Sequence, residues 1–411
     1  MSNLSATQRL WLRLFLPFAA GYFLSYLFRT ANAVIGPVLA RELDLADNAL
    51  GLLTSTYFLA FGAAQLPLGM LLDRFGPRRV EALLLVVAAT GAAVFAWAES
   101  LAGLAAGRAL IGLGVSACLM ASFKAFSLWF PPERQASLTG WIMASGGLGA
   151  LAAAKPLELA LGFSGWREIA LLLAMVTFLV AGLIAFVVPE KPASGGASAP
   201  ISLAEQIAGL RQIYSSRHFW RYAPMGLWMT GGFMAIQGLW ASRWMNVLEH
   251  MDAAAIASRL TLISASMLGG FLFMGFFATA LVHRGIQLTQ VYRVAMIVAL
   301  LAFSAITLAP QWAGDWLWPV LGISFSLSNI AYSLVAQAFP SALSGRANTA
   351  LNLMVFAGAF GLQWGLGGLI DLLQGIGQST DVAYRLAFAL LLAGQWLALG
   401  WLLLSGRHRQ G

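Results

Sequence analysis

The sequence predicts an all-α membrane protein of twelve transmembrane helices, arranged as two pseudo-symmetric six-helix bundles. Three observations predict it. The 411 residues are 60% hydrophobic and only 10% charged, with a mean hydropathy of +0.78. A soluble domain carries about 25% charged residues, so this much apolar surface requires lipid as its solvent. The apolar runs are long and nearly uninterrupted, which fits helices rather than the short alternating strands of a membrane barrel. They also fall into two groups of six, with a polar break between.

In chain order, runs of spanning length lie at about 11–38, 48–72, 79–98, 102–129, 137–160 and 166–188, then at about 219–247, 254–281, 288–309, 315–338, 346–373 and 381–405. The N-terminal stretch MSNLSATQRLWLRLF has no small-residue cleavage site, so the first span is expected to direct insertion itself. The domain division is therefore 1–188 and 219–411, joined by a linker at 189–218. In that linker PEKPASGGASAP has no apolar periodicity. ISLAEQIAGLRQIY follows, where Ser202 and Glu205 form a capping box. Leu203, Ile207, Leu210 and Tyr214 recur there at helical spacing, which predicts a short amphipathic helix on the membrane surface.

Orientation follows from the loop bases. With the N-terminus inside, inner loops and span ends hold 14 Lys and Arg against 4 outside. Both termini are expected to be cytoplasmic, in the inner membrane if the cell is bacterial. The formal net charge of +8 is then mostly topology, and a nucleic-acid partner is not expected. Cys118 is the one cysteine, which excludes an intrachain disulfide and a thiolate metal cluster; it reads as a small packing residue.

The halves echo each other. WFPPERQASLTGWIMASGGLGA and AFPSALSGRANTALNLMVFAGAFG both place Phe-Pro, then an Arg, before a glycine-paired span, and Pro131 and Pro340 are 209 residues apart.

Six bases remain within spans: Arg29, Arg108, Lys124, Lys155, Arg243 and Arg293. Only Glu158 and Asp371 are placed inside spans among the acids, both near outer ends. Glu158, one turn from Lys155, can pair with it, whereas Arg29 and Lys124 have no evident internal counter-ion. A buried unpaired cation is destabilising, so a cavity with excess positive charge implies an anion as the missing partner. Counting from the outer loops places Arg29 and Lys155 at similar depth, near mid-bilayer. Tyr57, Gln237, Trp240, Asn329 and Gln363 are candidate pocket groups beside them, with Arg243 nearer the outer end of span 7.

Between spans 2 and 3 the chain reads GMLLDRFGPRRV. Gly76-Pro77 supplies a sharp bend, Gly69 is expected to permit close helix approach, and Arg74, Arg78 and Arg79 hold the loop inside. This skeleton of Gly69, Asp73, Arg74, Gly76, Arg78 and Arg79 closely resembles the signature loop of the major facilitator superfamily. GRALIGLG, with Arg108, Gly112 and Gly114, resembles that superfamily's span-4 pattern. In the second half the loop is degenerate: Gly275 and Arg284 remain and the acid is gone. The resemblance implies a secondary transporter with a central cavity between rocking bundles. It also implies that Asp73 helps hold the outward-facing state by contact with the other bundle, with Arg134 a candidate partner.

GYFLSYLFRTANAVIGP resembles span 1 of the organophosphate/phosphate antiporters and the anion/cation symporters, where a Tyr-x-x-Arg stretch binds the anionic substrate; Tyr26 and Arg29 match. The chain departs from those families in two places. Phe28 stands where some proton-coupled members have an acid, and Met234 where the antiporters have a second arginine. Span 5 lacks the Gly-Pro-x-x-Gly-Gly core of drug exporters, and spans 2 and 8 lack the central arginines of nitrate carriers. No Walker loop, zinc-binding H-E-x-x-H or nucleophile elbow is present. The resulting expectation is a monomeric transporter of a small organic anion, a carboxylate foremost. It would have no catalytic residue, metal or cofactor, and H+ would be the coupling ion if there is one. The alternatives are a multidrug or metabolite exporter, or an anion sensor without net flux.

Overall fold

The computed structural model describes residues 11–130, 132–190, 203–309 and 314–405. The Ser202 cap of the linker helix, most of PEKPASGGASAP and Pro131 lie outside them. The described residues are helical throughout, with no strand.

Span 1 is α1 (Leu16–Thr30) and α2 (Asn32–Glu42). Spans 2 and 3 lie in α3 (Asp47–Trp97), which is two helices joined by a kink at Gly76, whose φ of 78° and ψ of 159° suit only a residue without Cβ. Span 4 is α4 (Leu101–Val115) with α5 (Cys118–Trp129), span 5 is α6 (Pro132–Ala152) with α7 (Lys155–Leu161), and span 6 is α8 (Trp166–Val187). The linker helix is α9 (Leu203–Tyr214). Its Ile213 is fully buried and the Tyr214 hydroxyl donates to the Ala350 carbonyl at 3.4 Å. Its last turn is thus packed against the protein, with Tyr214 tied to span 11.

Span 7 is not one regular helix. α10 (Arg217–Met225), α11 (Gly232–Ala235) and α12 (Ala241–Leu248) are separated by wide, π-type turns at Gly226–Gly231 and Ile236–Trp240. Such turns rotate the side chains that follow them and frequently occur at functional sites. The remaining spans are α13 (Ala253–His283), α14 (Leu288–Leu308), α15 (Gly314–Ser328) with α16 (Ile330–Ala336), α17 (Ser341–Gly375) and α18 (Thr380–Leu404). Among the described residues nine helices are long and apolar enough to cross a membrane. The second crossing of α3 and the segmented spans 5 and 7 complete the twelve.

The internal repeat is visible in backbone geometry. Gly285, 209 residues after Gly76, adopts the same φ of 78°. The second signature loop has therefore kept its turn while losing its acid. A Cβ on Gly149 would lie 2.1 Å from the Phe23 carbonyl oxygen, and one on Gly358 would lie 2.2 Å from that of Leu227. Span 5 crosses span 1 as span 11 crosses span 7. Gly112 against Tyr57 and Gly322 against Ile263 repeat this for spans 4 and 2 and spans 10 and 8. Gly114 likewise abuts Ala88 of span 3. Gly69 differs from expectation: nothing lies within 4 Å of its absent Cβ, so it makes no close approach.

The bundles meet along spans 2 and 11, spans 5 and 8, and spans 1 and 7. The bend at Gly76 defines one face, the loop face. The turns at 43–46 and 162–165 lie on the opposite, far face.

Candidate functional site: a buried guanidinium beneath a far-face latch

Arg29 is placed one residue before the end of α1 and is 8% exposed. Its guanidinium carbon lies 4.4 Å from the centroid of the Tyr26 ring, 5.6 Å from Phe61 and 5.9 Å from Phe356. These aromatic rings come from spans 1, 2 and 11, so both bundles enclose the charge. The Phe61 and Phe356 rings stack at 4.2 Å beside it. Aromatic faces attract a guanidinium but supply no negative charge. The Arg29 Nε has no hydrogen-bond partner, and among the ion pairs of the described residues none involves Arg29. Tyr22, Tyr26, Tyr57 and Tyr332 are close enough to interact with it electrostatically.

Gln363 lies near the backbone end of Arg29, across Gly238. A Cβ on Gly238 would lie 3.4 Å from the Gln363 Oε1 and 3.9 Å from the Arg29 carbonyl oxygen. Gln363 donates through Nε2 to the Thr54 hydroxyl, and its buried Oε1 has no partner. Gln237 is buried, with Nε2 3.9 Å from the Met267 sulfur. The Trp240 indole donates to the Gln363 carbonyl at 3.0 Å and locks span 7 to span 11. Tyr57 donates to the Ser25 carbonyl at 3.2 Å. Asn329, at the break between α15 and α16, donates to Ser326 at 3.2 Å.

Four further bases within the spans are engaged. Lys124 is not free: its Nζ binds Asp73 Oδ1 at 2.8 Å, with both side chains well exposed. The amine reaches the loop face, which takes it away from the central cavity. In this conformation Asp73 is held within its own bundle by Lys124, and Arg134 is exposed.

Lys155 pairs with Glu158 at 2.7 Å, as their spacing implies. Span 5 breaks at Ala153 and Ala154, where the Lys155 N–H donates to Thr261 of span 8 at 3.1 Å. Glu158 lines a far-face cleft of about 260 Å³, together with Arg41 and Asn246. Lys155 is therefore neutralised within span 5, by a residue that lines this cleft.

Arg243 is bound to Asp47 Oδ1 at 2.6 Å, and Tyr384 donates to Asp47 Oδ2 at 2.7 Å. Asp47 is 6% exposed. Beside this triad the Asn48 N–H donates to Asp371 at 3.0 Å and the Trp364 indole to Asn48 at 2.6 Å. Together they latch span 2 to spans 7, 11 and 12 on the far face.

Arg108 is 3% exposed and donates to the Phe28 carbonyl at 3.0 Å. With the Asn32 amide turned so that its oxygen faces the guanidinium, that oxygen accepts from Arg108 Nε at 3.1 Å and Nη2 at 2.9 Å. Its charge is spent on tying span 4 to span 1 just below Arg29.

The signature loop is tied down locally. Arg78 donates through Nε to the Ala185 carbonyl at 2.9 Å, Arg79 pairs with Glu190 at 2.6 Å, and Arg74 lies over Phe75. On the far rim the Arg167 guanidinium, with the Trp166 indole, holds the Glu42 carboxyl below the usual carboxylate range.

Asp47, Tyr384 and Glu81 are the residues the sequence did not single out. Asp47 and Glu81 sit at span borders, where acids read as solvated caps. One signal was available for the latch: Arg243 had no acid within helical reach in sequence, so any partner had to be distant.

Two packed six-helix bundles around a buried cation define a polytopic membrane transporter. The chain belongs to the Major Facilitator Superfamily, whose model matches residues 18–362. It is 26% identical over 171 residues to a probable sulfoacetate transporter of Cupriavidus necator, 42% of this chain and 40% of that one. It is 27% identical over 167 residues to the hexuronate transporter of Escherichia coli K12, 41% and 37% of the two chains. It is also 27% identical over 256 residues to a probable nitrate/nitrite antiporter of Thermus thermophilus, 58% and 56%. The chain thus spans less than two thirds of the length of these relatives. A bacterial homologue of the human lysosomal transporter Spinster, solved inward-facing and unoccupied, superposes with a TM-score of 0.79 over 98% of both chains at 16% identity. This last likeness bears on the fold alone.

Proposed function

We propose that this protein is a secondary active transporter of a small organic anion, a carboxylate foremost, which pairs with Arg29 at the interface of the bundles. The observation that carries this reading is the Arg29 guanidinium, buried among Tyr26, Phe61 and Phe356 without an acid. An uncompensated buried cation persists only where something repays its desolvation. Lys124, Lys155, Arg108 and Arg243 already have partners, so the anion reading now concentrates on one base. Gln363, with its free Oε1, and Gln237 and Tyr57 would orient the polar remainder of the ligand. Similarity to a probable sulfoacetate transporter, a hexuronate transporter and a probable nitrate/nitrite antiporter is consistent with an anionic cargo. Nitrate is disfavoured for this chain, because span 2 has no base and the Arg259 of span 8 is taken by Glu249 and Asp315.

Transport would proceed by rocking of the bundles 1–188 and 219–411 about the 189–218 linker, with the loop face and both termini in the cytoplasm. The far-face latch fits a state closed to the outside. H+ is the proposed coupling ion, and a monomer in the inner membrane of a bacterial cell is the proposed setting.

The test is a thermal-shift panel on purified protein with acetate, glucuronate, sulfoacetate and nitrate, repeated with Arg29→Ala and followed by counterflow in proteoliposomes. At least one organic anion is expected to stabilise the wild type. Loss of an ion-supported contact, about 1.5–3 kcal/mol, lowers its affinity roughly 10- to 100-fold in the variant. Equal stabilisation of both proteins would overturn the reading. Binding without counterflow would identify a sensor instead.

A further inference from the structure

Glu81 lies two residues beyond Arg79, at the start of span 3, and is completely buried. Neither carboxyl oxygen has a hydrogen-bond partner. The polar side chain beside them is the Cys118 thiol of span 4, a weak donor. On the span 1 side the carboxyl fills the space above Gly21, where a Cβ would lie 2.4 Å from Glu81 Oε1. The group is thus inserted at the junction of three helices.

Among the described residues, the bases on the helices packed against it are engaged elsewhere or set at a distance. On its own helix, Arg78 is engaged with Ala185 and Arg79 with Glu190. On span 4, Lys124 is held by Asp73 and Arg108 by span 1. On span 1, Tyr22 donates to the Met143 sulfur, and Arg29 lies eight residues beyond Gly21, about 12 Å along the helix axis. Span 6 also packs on this helix; its charges, Arg167 and Glu168, are at the far end. A carboxylate here would be desolvated and unpaired, which is costly, whereas a neutral carboxylic acid fits the packing.

We propose that Glu81 is an internal proton site of the transport cycle, a role that rests on the transporter reading above. It is protonated while spans 1, 3 and 4 are packed as they are here. When the bundles rock and the loop-face ends of these three helices loosen within their own bundle, water reaches the carboxyl, the O–H bond breaks, the proton passes to that water, and the carboxylate left behind is hydrated. Reprotonation, by a proton that enters while the far face is open, accompanies repacking, so each cycle moves one proton to the loop face. Residue 81 is about 5 Å along the helix from Arg78, close enough to that face for a short exit.

Two measurements test this on the full chain. In infrared difference spectra across a pH jump, without any anion, the wild type is expected to show a protonated-carboxyl stretch. The band should vanish in Glu81→Gln and shift in frequency in Cys118→Ser, which places a stronger donor beside it. In proteoliposomes with glucuronate as probe, Glu81→Gln is expected to keep counterflow. Accumulation driven by a proton gradient should fall at least about tenfold, the scale of an ordinary coupling energy. A band unaffected by both substitutions, or undiminished proton-driven accumulation in Glu81→Gln, would overturn the proposal. A wild type that shows the Glu81 band yet moves none of the anions upholds the proton site and removes the anion reading. Retained counterflow also shows that Glu81→Gln is folded; if that variant does not fold, the band shift in Cys118→Ser decides the assignment.

Discussion

Arg243 binds Asp47 at 2.6 Å although the two residues are 196 positions apart and belong to different bundles. Tyr384 completes the arrangement by donating to the second carboxylate oxygen. Each bundle thus contributes a charge that the other neutralises, and the bond exists only while the far face is shut. This makes the pair a state-dependent contact, which changes a conformational equilibrium instead of stabilising all states alike.

Asp47→Asn is therefore expected to open the far face. Breaking a buried pair costs about 3–5 kcal/mol, and less here because the Arg243 side chain is 20% exposed. A bias of about 1.4 kcal/mol already changes a population ratio tenfold. A cysteine placed at Thr54, beneath the latch, is expected to react with an impermeant thiol reagent from the far face at least about tenfold faster in Asp47→Asn. An unchanged rate would show that the triad does not hold the bundles together.

The Lys124–Asp73 pair leads to a different expectation, because it lies inside one bundle and is solvent-exposed. Exposed pairs contribute about 0–1 kcal/mol and are screened by salt. Asp73→Asn should shift thermal unfolding by no more than this, with the difference shrinking in high salt. The exchanged pair Asp73→Lys with Lys124→Asp should recover the wild-type midpoint. A loss well beyond 1 kcal/mol in the single variant would mean that Asp73 has a further partner across the bundles.

The Glu42 carboxyl on the far rim carries a definite pH sign. Its bond to Arg167 depresses its folded-state pKa. The stability it contributes is present above the unfolded-state value of about 4.3 and is lost as pH falls through the lower folded-state value. Unfolding midpoints of wild type and Glu42→Gln should differ at pH 6 and converge towards pH 3. The rim is exposed, so the difference at pH 6 is small. A gap that widens on acidification contradicts the assignment.

The fold was legible because lipid enforces it: spans of fixed length and a glycine-bearing bend both follow from constraints written locally in the chain. Arg29 was legible for the same reason, since a charge in the middle of GYFLSYLFRTANAVIGP is conspicuous. The partners were not. Lys124 has a long stem that carries its amine out to Asp73. Asp47 and Glu81 stand at the first turns of spans 2 and 3, where sequence alone reads an acid as a cap and tertiary packing alone buries it.

The repeat itself can be tested at Gly149 and Gly358. A methyl group at either position would meet a backbone carbonyl oxygen, of Phe23 or of Leu227. Backbone cannot step aside as a side-chain tip can, so the helices must separate. Overpacking of this kind costs about 1–3 kcal/mol. Gly149→Ala and Gly358→Ala are expected to lower the unfolding midpoint by similar amounts, because the same crossing is made once in each bundle. Gly361→Ala supplies the control: nothing lies within 4 Å of its absent Cβ, and a glycine replaced by alanine in an open helical position gains about 0.5–1 kcal/mol. If Gly361→Ala were as damaging as Gly358→Ala, helix–helix contact would not be what these glycines serve. If Gly149→Ala and Gly358→Ala differed widely, the two crossings would not be mechanically equivalent, and the symmetry would be one of sequence more than of packing.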